Sequence, residues 1–149
     1  MEIRFAETKD LPQILELYKE LNPDDEPLNA STAAEIWAES LRGDRVRYVV
    51  AVEGDRVLAT CTIAIIPNLT RSGRPYGIIE NVITTGAQRR KGAGRAVIEY
   101  AVLHAKRQNC YKVALLSGAK RHEAHAFYES IGFNGTSKKG FEMRFETCR

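Results

Sequence analysis

Apolar residues follow two periods along the chain, and each period predicts a different kind of element. A spacing of three to four residues places apolar side chains on one face of a helix. It occurs over residues 11–18, from Ser31 or Thr32 to 41, over 92–108 and over 122–131. Alternation, or a short continuous apolar run, predicts a strand. Such patterns occur over residues 2–6, 48–52, 57–66, 76–84, 113–116 and 141–145.

The order of these elements predicts the fold class. Along the chain they read β-α-α-β-β-β-α-β-α-β, which is an α/β arrangement. Residues 78–116 form a strand–helix–strand crossover, and such a connection joins parallel strands. The reversal at Gly54-Asp55 instead predicts an antiparallel hairpin. We therefore expect a mixed, mostly antiparallel central sheet flanked by helices, in a single domain over residues 1–149.

Two local signals sharpen this prediction. Thr32 and Glu35 form a capping-box pattern, which predicts the start of the second helix at Ser31 or Thr32. The run over 113–116 is almost wholly apolar, which is typical of a strand buried on both faces. The alternating segment 141–145 predicts a closing strand.

Composition limits the possible partners. The formal net charge is +3, without a polybasic run or aromatic residues interleaved with basic ones, so we expect no nucleic-acid partner. No apolar run approaches the ~20 residues that span a bilayer, and no secretion signal follows Met1. We therefore expect a cytoplasmic protein without a membrane partner. The widely spaced Cys61, Cys110 and Cys148 are typical of reduced thiols.

A basic, glycine-containing turn joins a strand to a helix within residues 80–96. Backbone N–H groups at a helix start are unpaired and carry the positive end of the helix dipole. Gly92 and Gly94 allow a ligand to approach the backbone closely. Arg89, Arg90 and Lys91 add positive charge at the same place. The turn therefore predicts a phosphate or pyrophosphate site.

Three segments together resemble a known family. The pattern Arg89-x-x-Gly92-x-Gly94, with Gln88 before it, resembles the pyrophosphate-binding motif of the GNAT superfamily of acyl-CoA N-acyltransferases. Residues 77–84 are similar to the central strand before that motif, and residues 121–133 to the late helix that ends F-Y-x-x-x-G-F. The resemblance covers nearly the whole chain. It implies the GNAT fold and direct transfer of acetyl from acetyl-CoA, the co-substrate, to a primary amine of a small molecule in a ternary complex.

The resemblance also implies roles for individual residues. Glu80 corresponds to a base, acting directly or through water, and its alternative roles are a structural hydrogen bond or holding the substrate's cation. Tyr128 corresponds to the acid that protonates the CoA thiolate, and its alternative role is contact with the cofactor without proton transfer. The backbone N–H of Val82, after a bulge, would polarise the thioester carbonyl. The implied cofactor-binding residues are Val82, Ile83, Thr84, Gln88, Arg89, Arg90, Lys91, Gly92, Ala93, Gly94, Arg95, Arg121, Phe127 and Tyr128.

Some features leave alternatives open. Arg121 stands where many relatives carry an Asn that contacts pantetheine, so a contact with phosphate or an acidic substrate is its alternative role. His122 and His125 are two ligands at most, so we expect no metal. The acceptor's identity and charge stay open. The alternative functions are a protein or peptide acetyltransferase and a non-catalytic CoA-binding regulatory module. A homodimer, formed through the closing strand, is a further expectation from the resemblance.

Overall fold

The computed structural model describes residues 1–146. The chain divides into two compact units, residues 1–115 and the residues from 116 onward. The first unit contains strands β1 (Glu2–Phe5), β2 (Val46–Glu53), β3 (Arg56–Ile66), β4 (Tyr76–Thr84) and β5 (Val113–Ala114), and helices α1 (Leu11–Leu21), α2 (Ala30–Ser40) and α3 (Ala93–Arg107). The second unit contains helix α4 (His122–Ile131). Among residues 1–146, no helix is long and apolar enough to cross a membrane.

The five strands form one sheet in the order β1-β2-β3-β4-β5. The first three pairings are antiparallel, and β4 pairs with β5 in parallel. The parallel pair is joined through α3, as a crossover connection requires. The prediction of a mixed, mostly antiparallel sheet flanked by helices is confirmed.

The two faces of this sheet are covered by different helices. On one face, Ile14 and Leu17 of α1 and Trp37 of α2 form a cluster with apolar residues of β2, β3 and β4. On the other face, the Cys61 thiol of β3 donates a weak hydrogen bond to the Val97 carbonyl of α3. Burial raises the pKa of Cys61 to about 12. Cys61 and Cys110 are both buried free thiols, whereas Cys148 lies outside the described residues.

Three local predictions are wrong. The closing strand over 141–145 does not form, and Phe141, Met143 and Phe145 are 79–86% exposed. Alternation makes the two sides of a segment chemically different, but a strand also needs a partner for its backbone hydrogen bonds. Gly140, which directly precedes this segment, instead packs its backbone against the Leu116 side chain of the same unit. A Cβ added at Gly140 would lie only 2.6 Å from that side chain.

The other two corrections concern β5 and the start of α2. The strand β5 has only two residues, both half-buried, and Leu116 is exposed, so the run is not buried on both faces. Helix α2 begins one residue earlier than predicted because Asn29 caps it. The Asn29 Oδ1 accepts from the Thr32 N–H at 2.8 Å, so Thr32 receives the cap rather than providing it.

An ion pair joins β1 to the start of α1. The Arg4 guanidinium donates to both carboxylate oxygens of Asp10, at 2.7 and 3.1 Å. The Glu7 N–H also donates to Asp10, at 2.7 Å. Burial acts to raise the pKa of the Asp10 carboxyl, but the hydrogen bonds from Arg4 and Glu7 outweigh it and hold the pKa below its usual value.

We expect Asp10→Asn to lower the free energy of unfolding by about 2 kcal/mol, since it removes a charged hydrogen-bond partner from a half-buried guanidinium. The folded-state pKa of Asp10 lies below the unfolded one, so its contribution is complete above the unfolded pKa. It disappears as the pH falls through the folded-state pKa. Urea unfolding across this range measures the effect.

The matched control is Asp44→Asn. Asp44 also pairs with an arginine, Arg47, but its side chain is 97% exposed, so the expected loss is below about 0.5 kcal/mol. Equal losses for the two variants would show that Asp10 gains nothing from its buried position.

Candidate active site

A β-bulge interrupts β4 where it pairs with β3. Thr62 pairs with Glu80 and Thr60 with Ile83, so the single residue between the two threonines faces two residues of β4. One of these two, Asn81, has a left-handed backbone conformation with φ of 52°. The bulge shifts by one residue the pattern in which successive side chains of β4 point to opposite faces. It therefore places Glu80 and Ile83 on the same face of the sheet.

Strands β4 and β5 separate just before the bulge. Their pairing covers only Gly77 with Val113 and Ile78 with Ala114. From residue 79 onward, the corresponding edge of β4 therefore has no strand partner within residues 1–146. Val82 and Thr84 lie on this stretch and are half-buried, whereas the Ile83 side chain belongs to the core. Ile83 therefore offers a ligand only its backbone.

The basic turn follows β4 directly. Gly86–Gln88 forms a 3₁₀ turn, and Arg90 and Gly92 have φ of 66° and 92°. Helix α3 then begins at Ala93 without a side-chain cap. The Ala96 N–H donates to the Gly92 carbonyl at 3.0 Å. As at any helix start, the amides that precede this bond have no partner within the helix and present the positive end of its dipole.

The basic side chains of this turn point away from the core. Arg89, Arg90 and Lys91 are exposed, and no ion pair within the described part of the chain involves them. Arg95 lies 3.4 Å from the Glu99 carboxylate on the next helical turn. Gln88 and Gly94 are half-buried, and Ala93 is buried. The turn therefore combines mobile positive charge with unpaired amides, which is what an anionic ligand requires.

The remaining predicted site residues belong to the second unit. Arg121 occupies the N-cap position of α4 and is exposed. The Tyr128 ring is half-buried, with ring centroids 5.4 Å from Phe127 and 6.1 Å from Phe133. His125 Nε2 lies 2.7 Å from the Gly118 carbonyl, a hydrogen bond that occupies this histidine. No group of three or more potential metal ligands occurs within residues 1–146.

Helices α1 and α2 enclose a small apolar pocket of about 100 Å³ on the face of the sheet that carries Glu80. Its lining consists of Leu11, Ile14, Leu15, Tyr18, Leu28, Ala33, Ile36, Trp37 and Tyr48. The rings of Trp37 and Tyr48 stack at 4.7 Å. Leu28 and Ile36 remain about half exposed, so the pocket opens to solvent.

Comparison with known proteins identifies this arrangement. The profile of the acetyltransferase (GNAT) family matches residues 11–133. A glucosamine 6-phosphate N-acetyltransferase of Trypanosoma brucei brucei is 31% identical over 140 residues, covering 93% of this chain and 92% of that protein. The chain belongs to the acetyltransferase (GNAT) family. It is therefore an acetyl-CoA-dependent N-acetyltransferase.

Two solved structures resemble the chain over almost its full length. One, from Agrobacterium tumefaciens str. C58 and named "putative acetyltransferase", has a TM-score of 0.93 and 45% identity, covering 97% of this chain and 100% of that one. The other, from Bacillus halodurans C-125, is named a transcriptional regulator. It has a TM-score of 0.88 and 26% identity, covering 97% of this chain and 99% of that one. Both therefore share the fold of this GNAT chain.

Sequence reasoning missed two residues that shape the site of this acetyltransferase. Asn81 forms the bulge, and an Asn within an apolar strand is a signal for it, because Asn tolerates a left-handed backbone better than most residues. Glu20, at the end of α1, accepts a hydrogen bond from the Gly86 N–H at 3.0 Å and so joins α1 to the turn. No sequence signal identifies Glu20, because the two partners are 66 positions apart.

We expect Asn81→Val to lower the free energy of unfolding by about 1–2 kcal/mol, because a β-branched residue fits a left-handed backbone poorly. Asn81→Gly is the matched control and should cost less, since glycine adopts this conformation readily. Chemical denaturation measures both values. A valine variant as stable as the glycine variant would contradict the left-handed conformation at this position.

Proposed function

We propose that residues 88–94 hold the pyrophosphate of acetyl-CoA and that the acetyl transfer takes place beside them at the bulge of β4. One observation carries this proposal. The uncapped start of α3, the left-handed Gly92 and three exposed basic side chains follow the separated edge of β4 directly. An extended pantetheine arm can pair with that edge as an added strand would, while its diphosphate meets the helix start.

Within this proposal, Glu80 takes the proton of the acceptor amine. An alkylammonium with a pKa of about 10 is only ~0.1% neutral at pH 7, so the reaction needs a proton acceptor. Glu80 is exposed, and within residues 1–146 it has neither an ion pair nor a hydrogen bond to another side chain. Its carboxylate is therefore available to a substrate. Positioning the substrate's cation is its alternative role.

The neutral amine nitrogen then attacks the thioester carbonyl carbon. The backbone N–H of Val82 stabilises the negative charge that develops on the carbonyl oxygen. The C–S bond breaks, Tyr128 donates its proton to the departing CoA thiolate, and the acetylated nitrogen releases its remaining excess proton to solvent, which leaves a neutral amide. This role of Tyr128 rests on its resemblance to the family's acid, and its support is a phenol on a helix that matches the family pattern.

The other predicted residues would bind the cofactor around this chemistry. Ile83 and Thr84 would contribute backbone groups, and Arg95, in the first turn of α3, would contact the adenosine 3′-phosphate or solvent. Arg121 and Phe127 keep the roles that the resemblance implies. Arg121 offers an exposed cation where many relatives have an amide. These residues would act within one acetyltransferase domain.

For the acceptor we propose a primary amine of a small molecule. Glucosamine 6-phosphate is the first compound to test, since the Trypanosoma brucei relative is named for it. The apolar pocket between α1 and α2 lies on the face of Glu80 and is a second determinant of acceptor choice. A screen of amines with acetyl-CoA, read by release of the CoA thiol, tests the function.

A regulatory module that binds CoA without turnover is the competing function. The resemblance to the Bacillus halodurans structure named a transcriptional regulator favours it. It predicts calorimetric binding of CoA together with no thiol release across the amine panel. Acetylation of a peptide library, without turnover of any small amine, would instead support a protein acetyltransferase.

We further propose a cytoplasmic homodimer without nucleic-acid or membrane partners. The free thiols of Cys61 and Cys110 support a reducing compartment. Phe141, Met143 and Phe145 support the dimer, since they are large apolar side chains exposed close together along the chain, and a second copy would cover them.

We expect Glu80→Gln to slow acetyl transfer about 100-fold near pH 7, the contribution of a general base. The deficit should shrink as the pH rises, because a growing fraction of the amine is then neutral without a base. Steady-state rates between pH 6 and 10 measure this trend. Glu53→Gln, at the exposed end of β2, is the control and should match the wild type. A defect independent of pH would assign Glu80 a positioning role.

We expect Tyr128→Phe to lower kcat at least tenfold, because the variant cannot protonate the thiolate. CoA binding should change little, since the ring keeps its contacts with Phe127 and Phe133. Turnover and calorimetry measure the two quantities. Equal losses in kcat and CoA affinity would argue against the acid role.

We expect the protein to sediment as a dimer and the triple variant Phe141→Ser, Met143→Ser, Phe145→Ser to sediment as a monomer. Leu69→Ser is the control, because Leu69 is equally apolar and fully exposed in the loop before β4. Analytical ultracentrifugation distinguishes the states. A monomeric wild type, or a dimeric triple variant, contradicts the proposed interface.

A further inference from the structure

Three polar side chains stand in one row across the sheet, on the face that α1 and α2 cover. Tyr48 of β2 pairs with Thr62 of β3, and Thr62 pairs with Glu80 of β4. Directly opposite residues in antiparallel strands point to the same face, with Cβ atoms about 5 Å apart. Glu80 is the charged member of this row. Thr62 is therefore the cross-strand neighbour of the proposed base.

Tyr18 of α1 approaches this row from above the sheet. Its ring packs against the core cluster that includes Ile14 and Trp37. Burial raises the pKa of Tyr18 to about 12, while the adjacent Thr62 hydroxyl acts in the opposite direction. Tyr48 and Cys61 are the other titratable groups that affect Tyr18. The Tyr18 and Thr62 hydroxyls are thus neighbours.

The two hydroxyls lie close enough to interact with each other, but without the geometry of a well-formed hydrogen bond. Both oxygens are shielded from solvent, and neither makes a hydrogen bond within residues 1–146. Two other polar side chains on this face are paired. The Tyr48 hydroxyl donates to Ser40 Oγ at 3.0 Å, and Thr60 Oγ1 donates to the Val49 carbonyl at 2.8 Å.

Unpaired hydroxyls at these positions destabilise the fold. Each buried polar group without a partner costs about 1–3 kcal/mol. Phe and Val have nearly the same shapes as Tyr and Thr and would avoid this cost. Departures from the most stable choice are expected at functional sites. The position of the pair, one strand from Glu80, indicates which function the hydroxyls serve.

We propose that Tyr18 and Thr62 are positioning residues that form a hydrogen-bond chain ending on the Glu80 carboxylate. When CoA is bound and the Glu80 side chain turns back over the sheet, the Thr62 hydroxyl donates to the carboxylate. The Tyr18 hydroxyl then donates to Thr62 Oγ1, and both orphan groups are satisfied. The chain holds the base in one orientation toward the acceptor amine. This inference rests on the proposed role of Glu80.

The proposed hydrogen-bond chain predicts a change in the titration of Glu80 that a purely structural role of the two hydroxyls would not produce. A hydrogen bond donated to a carboxylate favours its charged form and lowers its pKa. Loss of the Thr62 donor, or of the Tyr18 group that orients it, should therefore raise the pKa of Glu80. The loss of one hydrogen bond to a charged group corresponds to a change of about one pKa unit.

The test is a carboxyl ¹³C NMR titration of glutamate-labelled protein saturated with CoA, in which Glu80→Gln identifies the resonance. We expect Tyr18→Phe and Thr62→Val to raise the pKa of Glu80 by about one unit without loss of thermal stability. Thr62→Ser, which keeps the hydroxyl, should restore the wild-type value. With an amine substrate, the acid limb of the kcat/KM profile should move by the same amount.

The control is Tyr48→Phe, which removes a paired hydroxyl from the same face. It should lower the melting temperature and leave the pKa of Glu80 unchanged. Unchanged Glu80 titration in Tyr18→Phe and Thr62→Val, with lowered stability, would show that the two hydroxyls only bond to each other, and would overturn the inference. If the two variants shift the Glu80 titration but the wild-type protein acetylates no amine, the hydrogen-bond chain is supported and the proposed function is refuted.

Discussion

The change of register between β3 and β4 is the constraint on which the rest of the site depends. Antiparallel pairing normally determines where every side chain of a strand points, because the alternation has a period of two. The left-handed Asn81 adds one residue to β4 and breaks that alternation once. Upstream of it, Glu80 shares a face with Thr62. Downstream, Ile83 returns to the core beside Thr60.

The bulge also explains how a sheet can supply both structure and reactive backbone. A central strand with two complete ladders has no free N–H groups to offer a ligand. Here β4 keeps its ladder with β3 and loses β5 after Ile78. One edge of the strand is therefore available close to the start of α3. The hydrogen bond from Gly86 to Glu20 connects the turn at this edge to α1, so that both sides of the proposed site share one framework.

Much of the fold could be predicted because local patterns and pairing agree in the first unit. The periods of α1, α3 and the β2–β3 hairpin matched the core that the structure forms. The 141–145 segment shows the limit of such reasoning. Its alternation is as clear as that of β1, but a pattern does not reveal whether an edge is available for pairing. Asn29 shows a second limit, since several residues before a helix can cap it and only geometry selects one.

For the site, the sequence could predict the charged turn but not the environment of Glu80. The spacing of glycines and arginines at a helix start predicts an anion site. The sequence does not predict whether a hydroxyl is hydrogen-bonded: Tyr18 fits the apolar stripe of α1, and that pattern is the same for a paired and an unpaired phenol. Tyr48 and Tyr18 belong to the same cluster, yet among residues 1–146 only Tyr48 makes a well-formed side-chain hydrogen bond. Because a packed core excludes water, an unpaired hydroxyl there persists only where a partner arrives at another stage of the catalytic cycle or where other contacts outweigh its cost.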